Sequence, residues 1–254
     1  MVPASRAERL AAAILIVGAF AVVLAVVPHR TFELDRFFLP KEVVLHATAA
    51  LVALLVIPGR REWIWSRTDL LLLGYLGLTL LSAIFATNGW LAARAVGITW
   101  SSLLLFWSTR ELARAGLGRV LTIGLAAGAV TGVLTALGQA YGMLDSDLLS
   151  LSRAPGGTFG NRNFVAHLAA ISLPVLLATA LAARSRAGYL VSVLATLLTV
   201  GLMVLTRSRA AWLATAVSGL VFLGLGFLPG GLWRDETARK RVRGPILAVI
   251  AGAA

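Results

Sequence analysis

The chain has 254 residues, 59% hydrophobic and only 13% charged, with a mean hydropathy of +0.88. Soluble domains are about 45–50% apolar and about 25% charged, so too little polar surface exists here to cover a water-facing globule. A soluble enzyme is excluded, as is a disordered chain, and the absence of cysteine excludes disulfides and thiolate metal sites.

The charges cluster between continuous apolar runs, most of them long enough to cross a bilayer as helices, and strand-like alternation is missing. The fold class predicted is all-α, a polytopic transmembrane helical bundle with about eight complete spans plus a truncated ninth. The spans are Leu10–Val27, Val43–Ile57, Leu70–Phe85, Leu91–Trp107, Val120–Leu137, Phe164–Ala183, Tyr189–Leu205 and Ala210–Leu228. Arg6 and Arg9 before the first run resemble a signal peptide, but the run continues to Val27 and reads as a retained helix. The ninth run, Ile246–Ala254, reaches only about 14 Å. The expectation is one membrane domain over 1–254, the front part of a longer protein.

Lysine and arginine set the orientation. With the N-terminus inside, the inner segments hold 15 of them and the outer segments 8, which together make the 23 of the chain. This bias accounts for most of the +12 net charge without nucleic acid. Trp63, Trp65, Trp90, Trp107 and Trp233 fall at span ends and read as interfacial anchors.

The first outer loop, Pro28–Glu42, carries Arg36 and Lys41 beside Glu33, Asp35 and Glu42, a pattern that reads as a neutralised ion-pair cluster. Arg94, at the outer start of the fourth span, reads as a snorkelling side chain.

The longest outer loop, about Gly138–Asn163, ends in Arg153-Ala-Pro-Gly-Gly-Thr-Phe-Gly-Asn-Arg-Asn163. Its glycines permit tight turns that present backbone N–H groups to a ligand, and Asn161 or Asn163 is placed to cap the sixth helix. The plain alternative is a turn and a cap. Arg162 at that helix start opposes the macrodipole unless an anion lies between them, and Arg153 stands across the glycine stretch. Thr206-Arg207-Ser208-Arg209 forms a very short second outer turn with two arginines close to the membrane surface. Four guanidiniums meeting there suit a diphosphate whose lipid tail stays in the bilayer.

Arg153…Gly157-Thr158-Phe159-Gly160-Asn161-Arg162-Asn163-Phe164-Val165-Ala166 resembles the "R…GTF.N[PR]N..A" loop of the O-antigen ligase and polymerase family. Thr206-Arg207-Ser208-Arg209-Ala210-Ala211-Trp212 resembles that family's "T.SRgaw" motif. Leu39-Pro40-Lys41-Glu42 and Gly89…Arg94…Gly97 are weaker echoes. The resemblance implies a glycosyltransferase of the bacterial inner membrane with a cytoplasmic N-terminus and a periplasmic active face. It implies transfer of a glycan from undecaprenyl diphosphate to a lipid A core, another glycan repeat or a protein hydroxyl, without metal or cofactor. On that reading Arg209 and Arg207 are the catalytic arginines, stabilising charge on the leaving diphosphate. Arg153, Asn161, Arg162, Asn163, His167 and Lys41 bind substrate. Arg162 stands where relatives often carry Pro.

The family's catalytic histidine lies in a large periplasmic loop further along the chain, which this sequence does not include. His29 and His46 are poor substitutes. His167 either lines the site or makes a structural hydrogen bond, and Asp145 and Asp147 read as a solvated turn. A carrier of bicarbonate or lipid-linked glycan is the alternative, with Pro174 the one candidate helix break. A non-enzymatic envelope scaffold is the third, on the small-residue face Gly124…Gly128…Gly132.

Overall fold

A computed structural model of the chain describes residues 4–27, 35–59, 65–144, 149, 154–226, 244–247 and 251. Eight long α-helices account for most of them: α1 Arg6–Leu24, α2 Asp35–Val56, α3 Arg67–Ile84, α4 Gly89–Leu112, α5 Gly118–Ala140, α6 Arg162–Leu181, α7 Arg186–Thr206 and α8 Arg209–Gly226. Among the described residues there is no strand. Each predicted run falls within or largely overlaps one of these helices, because a continuous apolar stretch in a bilayer satisfies its backbone polar groups only as a helix. The protein is membrane-embedded and all-helical.

Six helical stretches are long and apolar enough to cross a membrane, and the shorter Arg209–Phe222 is also apolar. The count differs from eight because the α8 stretch is short and because α4 and α5 join through a π-helical turn, Ala113–Leu117, into one 52-residue stretch, Gly89–Ala140. At 1.5 Å per residue that stretch would measure about 78 Å, against a hydrocarbon core of about 30 Å. Its break is Gly116, whose φ of 87° leaves the helical region. Of the ninth run, only residues 246, 247 and 251 are described.

Polar side chains fix several helix starts. Ser66 and Asp69 form a reciprocal capping box on α3, Asn88 caps α4, and Ser185 caps α7. The sequence reading places residues 35–42 in a loop; instead they form the first two turns of α2. Pro40 lies inside that helix and has no N–H for the carbonyl of Arg36. The Val27 N–H donates to that carbonyl instead, at 2.9 Å.

The chain forms two compact units, one of residues 1–22 and 41–121, the other of 23–40 and 122–254. The first has a core of Ala11, Ala12, Leu15, Val52, Val56, Leu112 and Leu121. There Arg94 forms a two-pronged ion pair with Glu42, through Nε (2.9 Å) and Nη2 (2.7 Å). Below it His46 Nδ1 lies 2.7 Å from Ser101 Oγ, with Gly97 leaving room for the imidazole. Arg94 is therefore an interhelical partner of α2, not a snorkelling residue, because Glu42 lies one helix away within reach. Trp107 is also not an anchor: it is 5% exposed and donates to Asp69 Oδ1 at 2.8 Å. Trp65 and Trp90 are exposed, while Trp63 and Trp233 lie outside the described residues.

The second unit is built on α6, packed against α7 and α8. Ala166, Ala169, Ala170 and Leu173 of α6 meet Val200 and Met203 of α7 and Ala211 of α8. Gly132 belongs to this packing: a Cβ there would come 2.6 Å from Leu168. The helix runs on through Pro174 to Leu181.

Candidate functional site

The packing of the second unit brings three chain segments to one end. Val165 at the start of α6, Leu202 near the end of α7, and Val133 and Ala136 near the end of α5 share one cluster, with Phe159 against it. Ala166 and Ala211 share another with Met203. The glycine loop, the start of α6 and the α7–α8 turn therefore lie at the same end of this unit.

Four backbone N–H groups of the glycine loop are taken within the protein. Gly156 and Gly157 donate to Gln139 Oε1 at 2.6 and 2.7 Å. Phe159 donates to Gly156 O and Gly160 to Gly157 O. The expectation of a backbone anion cradle is thereby corrected: a buried glutamine on α5, 3% exposed, takes two of these donors, and the loop's own turns take two more. The glycines serve packing. A Cβ at Gly156 would meet the Gly160 carbonyl carbon at 2.9 Å, and one at Gly160 would meet the Phe37 ring at 2.6 Å. Gly160 also has a left-handed φ of 68°, open to glycine at little cost. The buried Thr158 hydroxyl donates to Val23 O at the end of α1.

Asn161 is the N-cap of α6, its side chain accepting from Asn163 N at 2.8 Å. Asn163 is exposed and does not take the capping role. Arg162 is the first residue of α6 and half-buried. Phe164 meets Phe38 edge-on, centroids 5.1 Å apart, and His167 packs edge-on against Phe164 at 6.4 Å. Among the described residues His167 makes no hydrogen bond, so its contact is aromatic.

In the α7–α8 turn the polar residues alternate in burial. Thr206 is buried and bonds back to Met203 O; Ser208 is buried, and its carbonyl closes the first turn of α8 through Trp212 N. Arg207 and Arg209 are exposed. Arg207 sits at the end of α7 with φ 53°, the one non-glycine residue with positive φ among the described residues. Arg209 is the first residue of α8. Two helices of this unit, α6 and α8, thus begin with an arginine at the same end, each against the positive pole of its own dipole.

The ion pairs among the described residues fall in the first unit, where Arg6, Arg9, Arg67 and Arg119 have none. In the first, Arg94 pairs with Glu42, Arg110 with Asp69, and Arg114 with Glu111. In the second, Arg36, Arg162, Arg184, Arg186, Arg207 and Arg209 have no ion pair among the described residues, where Asp35 is the sole carboxylate of the unit.

No family model, curated protein or solved structure matches the chain. What the site can do rests on its own residues. Arg153, His29, Asp145 and Asp147 lie outside the described residues. Lys41 belongs to the other unit, where its ammonium donates to Val22 O at 3.1 Å, the carbonyl of a neighbouring helix end. That tie gives Lys41 a structural anchor. No group of three or more His, Asp or Glu able to hold a metal occurs among the described residues. A groove of about 540 Å³ between α3 and α4, lined by Tyr75, Thr79, Ser82, Asn88 and Leu91, lies in the first unit and contains none of the predicted site residues.

Sequence reasoning missed two residues here, Arg36 and Gln139. The sequence pattern puts Arg36 in a neutralised loop cluster, but Glu42 is taken by Arg94. Gln139 gave no signal except its place as an amide at the end of an apolar run.

Proposed function

We propose that this protein binds a lipid-linked diphosphate glycan and takes part in transferring the glycan, as a membrane glycosyltransferase of the O-antigen ligase and polymerase type. The observation supporting this is the set of unpaired arginines at one end of the second unit. Arg162 and Arg209 head two helices there and Arg207 stands between α7 and α8. An anion at that end answers both dipoles and all three cations at once. A lipid diphosphate supplies such an anion while its tail stays among the exposed apolar helix faces. The charge bias of the sequence favours an outer position for this end, and the family resemblance implies the periplasmic face of a bacterial inner membrane.

In the proposed reaction the acceptor oxygen bonds to the anomeric carbon and the bond from that carbon to the diphosphate oxygen breaks. The electron pair stays on undecaprenyl diphosphate and the hydroxyl proton passes to a base. Arg209, with Arg207, holds the oxygens that gain charge. Asn161 acts indirectly, by fixing the start of α6. The family resemblance assigns the base to a histidine in a large periplasmic loop, and the residues named here are those on the donor side.

The test is retention of undecaprenyl diphosphate against undecaprenol by the protein in neutral-lipid nanodiscs. The diphosphate lipid is expected to be retained, and Arg209→Ala to weaken retention about tenfold or more, as for loss of a charge-assisted contact. Equal retention of undecaprenol, or an Arg209→Ala protein that binds as well as the parent, overturns the proposal.

A further inference from the structure

Of the six stretches long enough to cross a membrane, α3 is the least covered by the rest of the protein, 11% buried against 28–44% for the others. The groove of about 540 Å³ lies between it and α4, within the range of small-molecule sites, about 300–1,000 Å³. Small side chains keep it open: Ala83 on α3, and Ala92 and Ala95 on α4.

Depth and polarity are ordered along this groove. Its mouth is the α3–α4 turn, where Thr87 and Asn88 line it. Trp90 stands exposed beside them, an indole suited to the membrane–water interface. Deeper in, the groove reaches Tyr75, which precedes Ala83 by about 12 Å of helix. One leaflet supplies about 15 Å of hydrocarbon, half of the bilayer core, so the groove stays within a leaflet. Leu78 and Leu91 give it apolar walls, and among its described lining residues there is no Lys, Arg, Asp or Glu.

The polar side chains near the mouth have donors to spare. Asn88 gives its oxygen to Leu91 N at 3.1 Å, which leaves its amide N–H groups for a ligand. Ser82 and Thr87 are exposed, and their hydroxyls make no hydrogen bond among the described residues. Thr79, further down, is already engaged with Tyr75 O at 2.9 Å.

We propose that this groove binds one acyl chain of an ester-linked glycerolipid, with the ester carbonyl held by Ser82, Thr87 and Asn88. Ester carbonyls lie just below the headgroup, at the depth of the mouth, and accept hydrogen bonds without carrying charge. In a lipid diphosphate the charged group joins the isoprenyl chain directly, and here it would meet a lining without a cation. Charge complementarity therefore selects the ester lipid. The inference concerns the first unit and is separate from glycan transfer.

The test is native mass spectrometry of the protein released from three kinds of nanodisc: phosphatidylcholine, its ether-linked analogue, and phosphatidylcholine with added undecaprenyl diphosphate. One phosphatidylcholine per protein is expected to survive release. The ether lipid is expected to be held about fivefold more weakly, as for loss of a hydrogen bond. Ala92→Phe fills the groove and is expected to abolish retention while the thermal unfolding midpoint stays near the parent's. Ser82→Ala combined with Thr87→Val leaves the groove open and is expected to erase the preference for the ester lipid; this variant decides alone if Ala92→Phe fails to fold. Retention by folded Ala92→Phe equal to the parent's refutes the site, as does equal retention of ester and ether lipids by the parent. Preferential retention of undecaprenyl diphosphate, lost in Ala92→Phe, overturns the choice of an ester lipid. A lipid-free dimer that dissociates in Ala92→Phe gives the groove to a second copy of the chain and ends the proposal.

Discussion

Phe37 lies so close to Gly160 that a Cβ on residue 160 would sit 2.6 Å from its ring. The contact ties the start of α2 to the glycine loop through a fully buried aromatic. Gly160→Ala therefore meets two penalties. A left-handed conformation costs a non-glycine residue about 1–2 kcal/mol, and overpacking costs about 1–3 kcal/mol. Denaturant unfolding of Gly160→Ala in detergent is expected to show about 2–5 kcal/mol of destabilisation. Combining it with Phe37→Ala should cost less than the sum of the two single changes, since the clash disappears and only the backbone strain remains. Full additivity would mean that the ring and the loop do not touch.

Gln139 predicts a sharper contrast between near-identical side chains. Gln139→Leu leaves the Gly156 and Gly157 N–H groups buried without an acceptor, at about 1–3 kcal/mol each. Gln139→Glu keeps an oxygen in place for both. Thermal unfolding should put Gln139→Leu well below the parent and Gln139→Glu near it. If the two variants unfold together, the glutamine oxygen is not what holds the loop.

In the first unit, the Glu42–Arg94 pair is the most informative target. Both side chains are largely buried, at 16% and 18% exposed. Removing one partner strands the other charge at about 3–5 kcal/mol, whereas replacing both with apolar residues is often close to neutral. Arg94→Leu or Glu42→Leu alone should thus be strongly destabilising, and the double variant should recover most of the loss. A double variant as unstable as the worse single one would show that the pair does more than neutralise itself.

These contacts mark what the sequence makes legible and what it hides. The helices are readable because a bilayer accepts continuous apolar runs in little else, so the predicted spans closely track α1 and α3–α8. The start of α2 is hidden because Asp35, Arg36, Pro40 and Lys41 have a loop composition. The Val27 N–H takes the carbonyl that Pro40 leaves open, a contact that the local sequence does not display. The glycine loop is recognisable as a motif, but its meaning is not. Gly-Gly-Thr-Phe-Gly reads the same whether its N–H groups face a ligand or a glutamine, and Gln139 lies 17 residues before Gly156. Arg36 is misread for a related reason: its neighbour Glu42 is claimed by Arg94, 52 residues away, and charge balance along the chain says nothing about pairing across helices.

Arg207 offers a way to separate stability from function. It ends α7 with φ 53° and ψ 28°, the left-handed position that helices usually give to glycine. A side chain held there costs about 1–2 kcal/mol, and the arginine is exposed, so burial does not offset the strain. Arg207→Gly should therefore raise the unfolding midpoint in detergent. If the guanidinium is retained to hold an anion, the same variant should bind pyrophosphate or undecaprenyl diphosphate more weakly, while Arg207→Lys keeps part of the binding and none of the gain in stability. A variant that is more stable and binds as tightly as the parent would assign Arg207 to the membrane surface and leave Arg162 and Arg209 as the anion-facing pair.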